Sequence, residues 1–486
     1  MELLLIILYS LCLLMILVYS FVQLNLLINY LKFKRKKETE TEEPSEWPVV
    51  SIQLPVYNEL YVVERLLDAV GAMDYPCEKM EVQVLDDSTD ESVELTRHKV
   101  AELKASGLDI RYIHRTHRKG YKAGALKEGM AEAKGEFLAI FDADFIPGPD
   151  FLRKTIPHFK NPDIGVVQTR WGHLNRNFSW LTKIQAFALD AHFTIEQVGR
   201  NAGNHFINFN GTAGVWRKQC IEEAGNWQSD TITEDLDLSY RSQLKGWKFK
   251  YLENVETPAE LPILISAARS QQFRWNKGGA ENFQKMKRHL FSRSMAPLKT
   301  RIHAFFHLLN STMFVNILLV SLLSIPMLYI KFHSPEYEIF FQLSSIVIIS
   351  TVIFFGMYWV SYRNIHGGGF RTFMAYIREF VVFYSVAMGF SLQNSVAVLE
   401  GHIGKKSGFI RTPKFNVLSL KDNWKGNKYV RTRLTWVNWL EGIMMLYFGF
   451  GVISAFILMD YGLLPFHLML FFGFGFVFYK SVTCRV

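Results

Sequence analysis

Cysteine is scarce in this 486-residue chain, and the four present, Cys12, Cys77, Cys220 and Cys484, stand far apart. They form no C-x-x-C pair and no Cys/His ligand set, which excludes a disulfide framework and a structural zinc centre. The G-x-x-x-x-G-K-S/T signature is also missing. Lys119 to Leu126 resembles a phosphate loop only loosely, so a P-loop nucleotide triphosphatase is excluded. The N-terminus lacks both a basic start and a small-residue cleavage site. Its apolar run, 3–31, is too long for a signal peptide and reads as a retained anchor. Finally, the net charge of +9 is not gathered on one aromatic-interleaved face, so it does not describe a nucleic-acid binder.

What is abundant is apolar and aromatic: 49% of the residues are hydrophobic and 15% aromatic, more than a soluble enzyme needs. Uncharged stretches cover 3–31, 302–330, 339–362, 380–399, 442–459 and 461–479, most of them long enough to cross a hydrocarbon core. Basic residues flank them at 32–37, 285–301, 363–378 and 405–433. By the positive-inside bias the region after the first span faces the cytoplasm. Sequons at Asn177, Asn210 and Asn310 would matter only in a luminal domain. Basic segments lie on both sides of 380–399, which also holds Gly389, Gln393 and Asn394, so this stretch is expected to lie in the interface rather than to cross. Five spans result, with a sixth crossing as the alternative.

Between the first two apolar runs lies an ordinary globular sequence. A strand is expected at 49–54, then a helix over 59–73 with Leu60, Val63, Leu66, Leu67 and Val70 at helical spacing. Strands at 81–85, 110–113 and 137–141 alternate with helices at 93–105 and 123–133. Such alternation implies a mostly parallel sheet covered on both faces, with ligands bound at the carboxyl ends of its strands. Asn58, Asp86, Asp87, Asp142 and Asp144 fall there.

Asp142-Ala143-Asp144 follows the apolar run Phe137 to Phe141. Asp favours strand exits for local reasons, so the triplet alone is weak. Two carboxylates at the mouth of a buried strand, however, repel each other unless a cation joins them, and Mg²⁺ or Mn²⁺ takes such a pair together with substrate phosphates. Asp86 and Asp87 could cap a helix or read a base and ribose. Thr233-Glu234-Asp235 could likewise be a helix start, or supply Asp235 as general base to an acceptor hydroxyl. Gln271-Gln272-Phe273-Arg274-Trp275 joins a planar phosphate donor to a flat ring suited to a sugar, although Arg and Trp also anchor helices at membranes.

In this order the motifs resemble the D, D-x-D, T-E-D, Q-x-x-R-W set of membrane-embedded family 2 glycosyltransferases, especially cellulose synthase-like and mannan synthase-like enzymes. Val84 to Asp90, Gly120 to Gly129, Phe141 to Phe145 and Phe209 to Gly214 carry the same resemblance. It implies a Rossmann-like α/β GT-A domain that binds a nucleotide sugar, with inversion to a β-linked product. By the resemblance, Pro55, Tyr57, Glu59, Asp86, Asp87, Lys122, Asp142, Gln271 and Arg274 bind the donor, and Asp142 and Asp144 the metal. Glu234 and Asp235 are catalytic, and Phe209, Asn210, Gly211 and Trp275 bind the acceptor. Phe409, Thr412 and Lys414 are similar to an F-x-V-T-x-K gating loop, with Arg411 in place of the valine and Pro413 stiffening it. The alternative for this segment is a basic loop on anionic lipid.

The expected organisation is an anchor at 1–31, a charged linker at 32–47, the GT-A domain at 48–284 and a basic interfacial helix at 285–301. Two spans follow at 302–362, then the interfacial helix and gating-type loop at 363–433, and two more spans at 434–486. The expected partners are a donor of the UDP-glucose or GDP-mannose class, a glycan or lipid acceptor, and membrane lipids. The expected site is a plasma or inner membrane, or the Golgi of a eukaryote. Competing readings are a single-addition enzyme similar to ceramide glucosyltransferases, and a non-catalytic transporter or scaffold.

Overall fold

The computed structural model describes residues 1–36, 42–291, 296–408, 410–417, 422 and 434–483. Phe409 and parts of the charged linker lie outside the described residues. The sheet at the centre has seven strands: β1 (Val50–Val56), β2 (Met80–Asp86), β3 (Ile110–His114), β4 (Phe137–Ile140), β5 (Ile164–His173), β6 (Gly214–Arg217) and β7 (Lys248–Ala259). Their order is β3-β2-β1-β4-β6-β5-β7. β1 pairs in parallel with both β2 and β4, whereas β6 runs antiparallel between β4 and β5. The chain enters the sheet at β1 and returns on its other side at β4, and the crevice at such a switch point is where α/β sheets take ligands.

The central strands are buried on both faces. Every residue of β2 and β4 is buried, as near-continuous apolar runs require in a parallel sheet covered by helices. Helix Val63–Gly71 lays Val63, Leu66, Leu67 and Val70 on this core, the i, i+3, i+4, i+7 stripe of the sequence. It starts later than expected from the periodicity. Asn58 adopts a left-handed φ of 53°. Its N–H donates to Ser88 Oγ at 2.7 Å, and its Oδ1 accepts from Thr89 N at 2.9 Å. The residues after β1 thus form a turn tied to the end of β2, and this turn holds Tyr57 and Glu59 over the crevice.

Among the described residues, five helical stretches are long and apolar enough to cross a membrane: Glu2–Lys34, Asn310–His333, Pro335–His366, Trp436–Ile457 and Leu464–Thr483. Between the third and fourth lies a pair of helices, Phe370–Gly389 and Ser391–Ile403, bent by 50°. This differs from the single flat helix expected at 380–399. The bend packs against the last helix, where Gly389 meets the backbone of Gly473 and a Cβ at either position would clash. Met388 joins Phe448, Leu470 and Phe474 in one apolar cluster. Each helix of the pair touches the α/β domain or its extension. Arg378 lies over the Trp180 ring at 5.5 Å, and His402 Nδ1 pairs with Gln284 at 2.9 Å. The pair is therefore a bent helical element over 370–403, tied at both of its helices to the α/β domain and its extension.

The basic segment 285–301 also differs from expectation. Helix Ile265–Phe291 runs through position 284 without a break, and a separate helix spans Leu298–Leu308. Lys277, fully buried in the long helix, donates to Ser407 Oγ at 2.8 Å and pairs with Glu400 at 3.3 Å, which joins it to the residues after the bent pair.

Candidate active site

The crevice gathers residues from five separate stretches of chain. Asp142 follows β4, and its N–H donates to Thr212 Oγ1 at 2.9 Å. Lys122, in the first turn of helix Tyr121–Glu132, pairs with the Asp142 carboxylate and donates to the Gly211 carbonyl at 2.8 Å. Gly211 has φ 80°, and a Cβ there would sit 3.1 Å from Asp235 Oδ2. The left-handed φ favours glycine at this position, and the missing side chain leaves the carboxylate uncrowded. Asp142, Lys122, Gly211 and Asp235 thus form one contiguous constellation.

Glu234 and Asp235 open helix Glu234–Leu244, with Thr233 preceding it. Thr233 Oγ1 accepts from Asn282 Nδ2 at 2.9 Å, so the long helix Ile265–Phe291 fixes the start of this one. Burial pushes the Asp235 carboxyl up to about 6, against the lowering influence of its own helix N–H groups and Lys122. Glu234 is pushed up to about 7 by burial and by the neighbouring Asp235 charge. A carboxylate so raised is a better proton acceptor near neutrality than an ordinary surface Asp.

Arg274 faces the same space, where it feels the Glu234 and Asp142 charges. In this structure the segment 410–417 lies across it. Arg274 donates to the Ile410 carbonyl and, at 2.8 Å, to Thr412 Oγ1. Arg411 forks onto both oxygens of Glu59, and Lys414 pairs with the buried Asp144. Glu260 fixes the far end, accepting the N–H groups of Phe415 and Asn416 at 3.0 Å each. This side of the crevice is thereby filled by the chain itself. A small cleft of about 70 Å³ remains open beside Lys122 and Glu234, lined also by Tyr121, Thr231, Glu281 and Lys406.

The remaining expected residues fall as follows. Pro55 lies in β1, and Tyr57 follows it at the crevice. Asp86 caps the β2 exit, accepting Ser88 N at 2.8 Å and Tyr112 OH at 2.7 Å. Asp87 is buried with both oxygens in the fork of Arg115, at 2.6 Å each. Phe209 is fully buried against Trp216 behind the site, and its neighbour Asn210 accepts from Gln197 Nε2 at 2.9 Å. Gln271 and Trp275 are half-buried on the helix that carries Arg274.

Arg115, Glu260 and Lys277 were not singled out from the sequence. Each is a lone charged residue whose partner lies far away in the chain, so no local pattern marks it. Arg411 was visible only as a departure from the gating motif.

A mixed seven-stranded sheet with acidic residues at its switch point, facing a helix-borne Arg, is the GT-A-like class of α/β fold. Residues 48–278 match the family model described as "Glycosyltransferase like family 2". The match covers this α/β domain and leaves the helices on either side of it outside. It is 45% identical over 268 residues to glucomannan 4-beta-mannosyltransferase 1 of Oryza sativa subsp. japonica, covering 54% of this chain and 51% of the relative. To glucomannan 4-beta-mannosyltransferase 2 of Arabidopsis thaliana it is 44% identical over 260 residues, covering 52% and 49%. The chain spans about half the length of these relatives. A solved mannosyltransferase of Pyrobaculum calidifontis, in complex with GDP-Man and Mn²⁺, aligns with a TM-score of 0.48 at 20% identity, covering 69% of this chain and 98% of that one.

Proposed function

We propose that this chain transfers a hexose, with inversion, from a nucleotide sugar to a growing β-linked polysaccharide. The observation that carries this reading is the single constellation of Lys122, Asp142, Gly211 and Asp235, with Arg274 facing it. Asp235 takes the proton of an acceptor hydroxyl as that oxygen bonds to the anomeric carbon, and the bond from that carbon to the nucleoside diphosphate breaks. Lys122 and Arg274 offset the negative charge that collects on the leaving diphosphate. Gly211, Asn210 and Trp275 receive the acceptor, while Phe209 supports their loop from the core.

Asp142 and Asp144 are the residues that would hold Mg²⁺ or Mn²⁺. Among the described residues no group of three or more His, Cys, Asp and Glu forms a metal cage. Two carboxylates completed by substrate phosphates nonetheless suit a hard cation, and each now has a lysine ammonium as its counter-charge. When bound, the cation supplies Lewis-acid neutralisation of the diphosphate. The segment 410–417 is read as a gate: its contacts to Asp144, Glu59 and Arg274 must be released before a donor diphosphate reaches the same groups.

The names of the relatives favour mannose as the donor sugar. The five apolar helices favour an enzyme that passes its product through the membrane it sits in, with the transferase domain on the cytoplasmic side. Purified protein in vesicles, given labelled GDP-mannose or UDP-glucose, tests this reading. A long, β-mannanase-sensitive polymer from GDP-mannose is expected. A single labelled glycolipid would instead establish the single-addition alternative.

A further inference from the structure

Asp87 has little capacity left to recognise a base, because Arg115 holds both its oxygens and is itself held by Glu128 at 2.9 Å and the Tyr121 carbonyl at 3.0 Å. Arg115 and Asp87 are equally buried, and their pairing is the floor of the crevice. A second arginine three residues on is arranged differently. The Arg118 guanidinium lies over the Tyr57 ring with 3.4 Å to the ring centre, and 5.0 Å from the ring of Tyr121. Tyr57 is held in place by the tied turn at Asn58, whose contacts to Ser88 and Thr89 fix the ring at the carboxyl end of β1.

A separation of 3.4 Å is one layer of stacked planar groups, the thickness a nucleobase occupies. A planar cation on an aromatic face and a base on an aromatic face use the same surface. Resting on the reading of a nucleotide-sugar donor, we propose that Arg118 is a nucleobase-binding residue: it keeps the stacking face of Tyr57 covered in the empty enzyme and, displaced outward by one layer, covers the other face of the bound base. The base is then sandwiched between a phenol ring and a guanidinium, with Asp87 and Arg115 at its edge. Both layers act on the π-face, which every base presents, so Arg118 contributes affinity for the nucleoside part without selecting uracil or guanine.

The test is equilibrium binding of UDP, GDP and inorganic pyrophosphate to the full chain in nanodiscs, for the wild type and for Arg118→Ala, Arg118→Lys and Tyr57→Leu. Removing one stacking layer is expected to weaken UDP and GDP about 10-fold in each variant, with pyrophosphate affinity unchanged. The Lys variant keeps the charge but not the plane, so it behaves like Ala. The Arg118→Ala/Tyr57→Leu double variant loses less than the product of the two single losses, because the layers share one base. Unchanged or tighter nucleotide binding in Arg118→Ala overturns the proposal. So does a parallel loss of pyrophosphate, or full affinity in Arg118→Lys, either of which makes Arg118 a phosphate-charge residue. Failure of the wild type to bind either nucleotide would instead overturn the donor reading itself.

Discussion

Replacing Lys414 by Met separates a gate from a structural strap. The Lys414 ammonium pairs with Asp144 and donates to the Glu260 carbonyl at 3.2 Å, and both side chains of the pair are about nine-tenths buried. A buried hydrogen bond to a charged group contributes about 1.5–3 kcal/mol, which is a factor of about 10 to 150 in an equilibrium constant. Methionine has a similar length and no charge, so the variant gives up this term while it keeps the apolar stem. In the wild type a divalent cation must displace the ammonium to reach Asp144; in Lys414→Met it need not. The expected result is Mn²⁺ affinity raised at least 10-fold at fixed GDP, followed by electron paramagnetic resonance on the full chain in nanodiscs. Lys154→Met, a change at an exposed i,i+4 pair with Asp150, serves as control. Equal or weaker Mn²⁺ binding in Lys414→Met would refute competition between the segment and the cation.

Three other outcomes follow from the site. Asp235→Asn keeps the shape of the base but removes its proton affinity, so turnover falls by about 10² to 10⁴ while nucleotide affinity stays within a few-fold, measured by labelled-sugar incorporation. Because burial raises Asp235 to about 6, the base is lost to protonation as pH falls through that value; kcat/KM is expected to decline below about pH 6, and the decline vanishes in Asp235→Asn. Arg115→Met leaves the Asp87 charge buried and unpaired, at a cost of about 3–5 kcal/mol, and Arg115→Met/Asp87→Leu recovers much of the lost melting temperature.

The parts of this protein that could be read from the chain are those with short-range signatures. The apolar runs, the strand at 137–141 with its Asp142-Ala-Asp144 exit, and the stripe Val63, Leu66, Leu67, Val70 each announce themselves within a dozen residues. β5, β6 and β7 did not. β6 is only four residues long and runs against its neighbours, and β5 and β7 pair across about 80 residues with register shifts, so their identity depends on partners. The helix expected from 59 begins at 63 because Ser88 and Thr89 capture Asn58, a tertiary contact that overrides periodicity. The stretch 380–399 reads as one continuous helix, but it bends by 50° near Phe390, where Gly389 and Gly473 approach closely, and its second part is tied to Gln284 through His402.

Residue chemistry in order along the chain determined which groups could do sugar transfer, because carboxylates, a planar cation and a flat ring carry their capabilities wherever they stand. Tertiary structure alone decided which of them act together and which are occupied. Asp142 meets Lys122 and Asp235 meets Gly211 across 20 and 24 residues, distances along the chain that say nothing about separation in space. Asp87 turned out to be held by Arg115, and Asp144 by Lys414 from 270 residues away. Charge pairing acts over a few ångströms of space, and only the folded chain sets those distances.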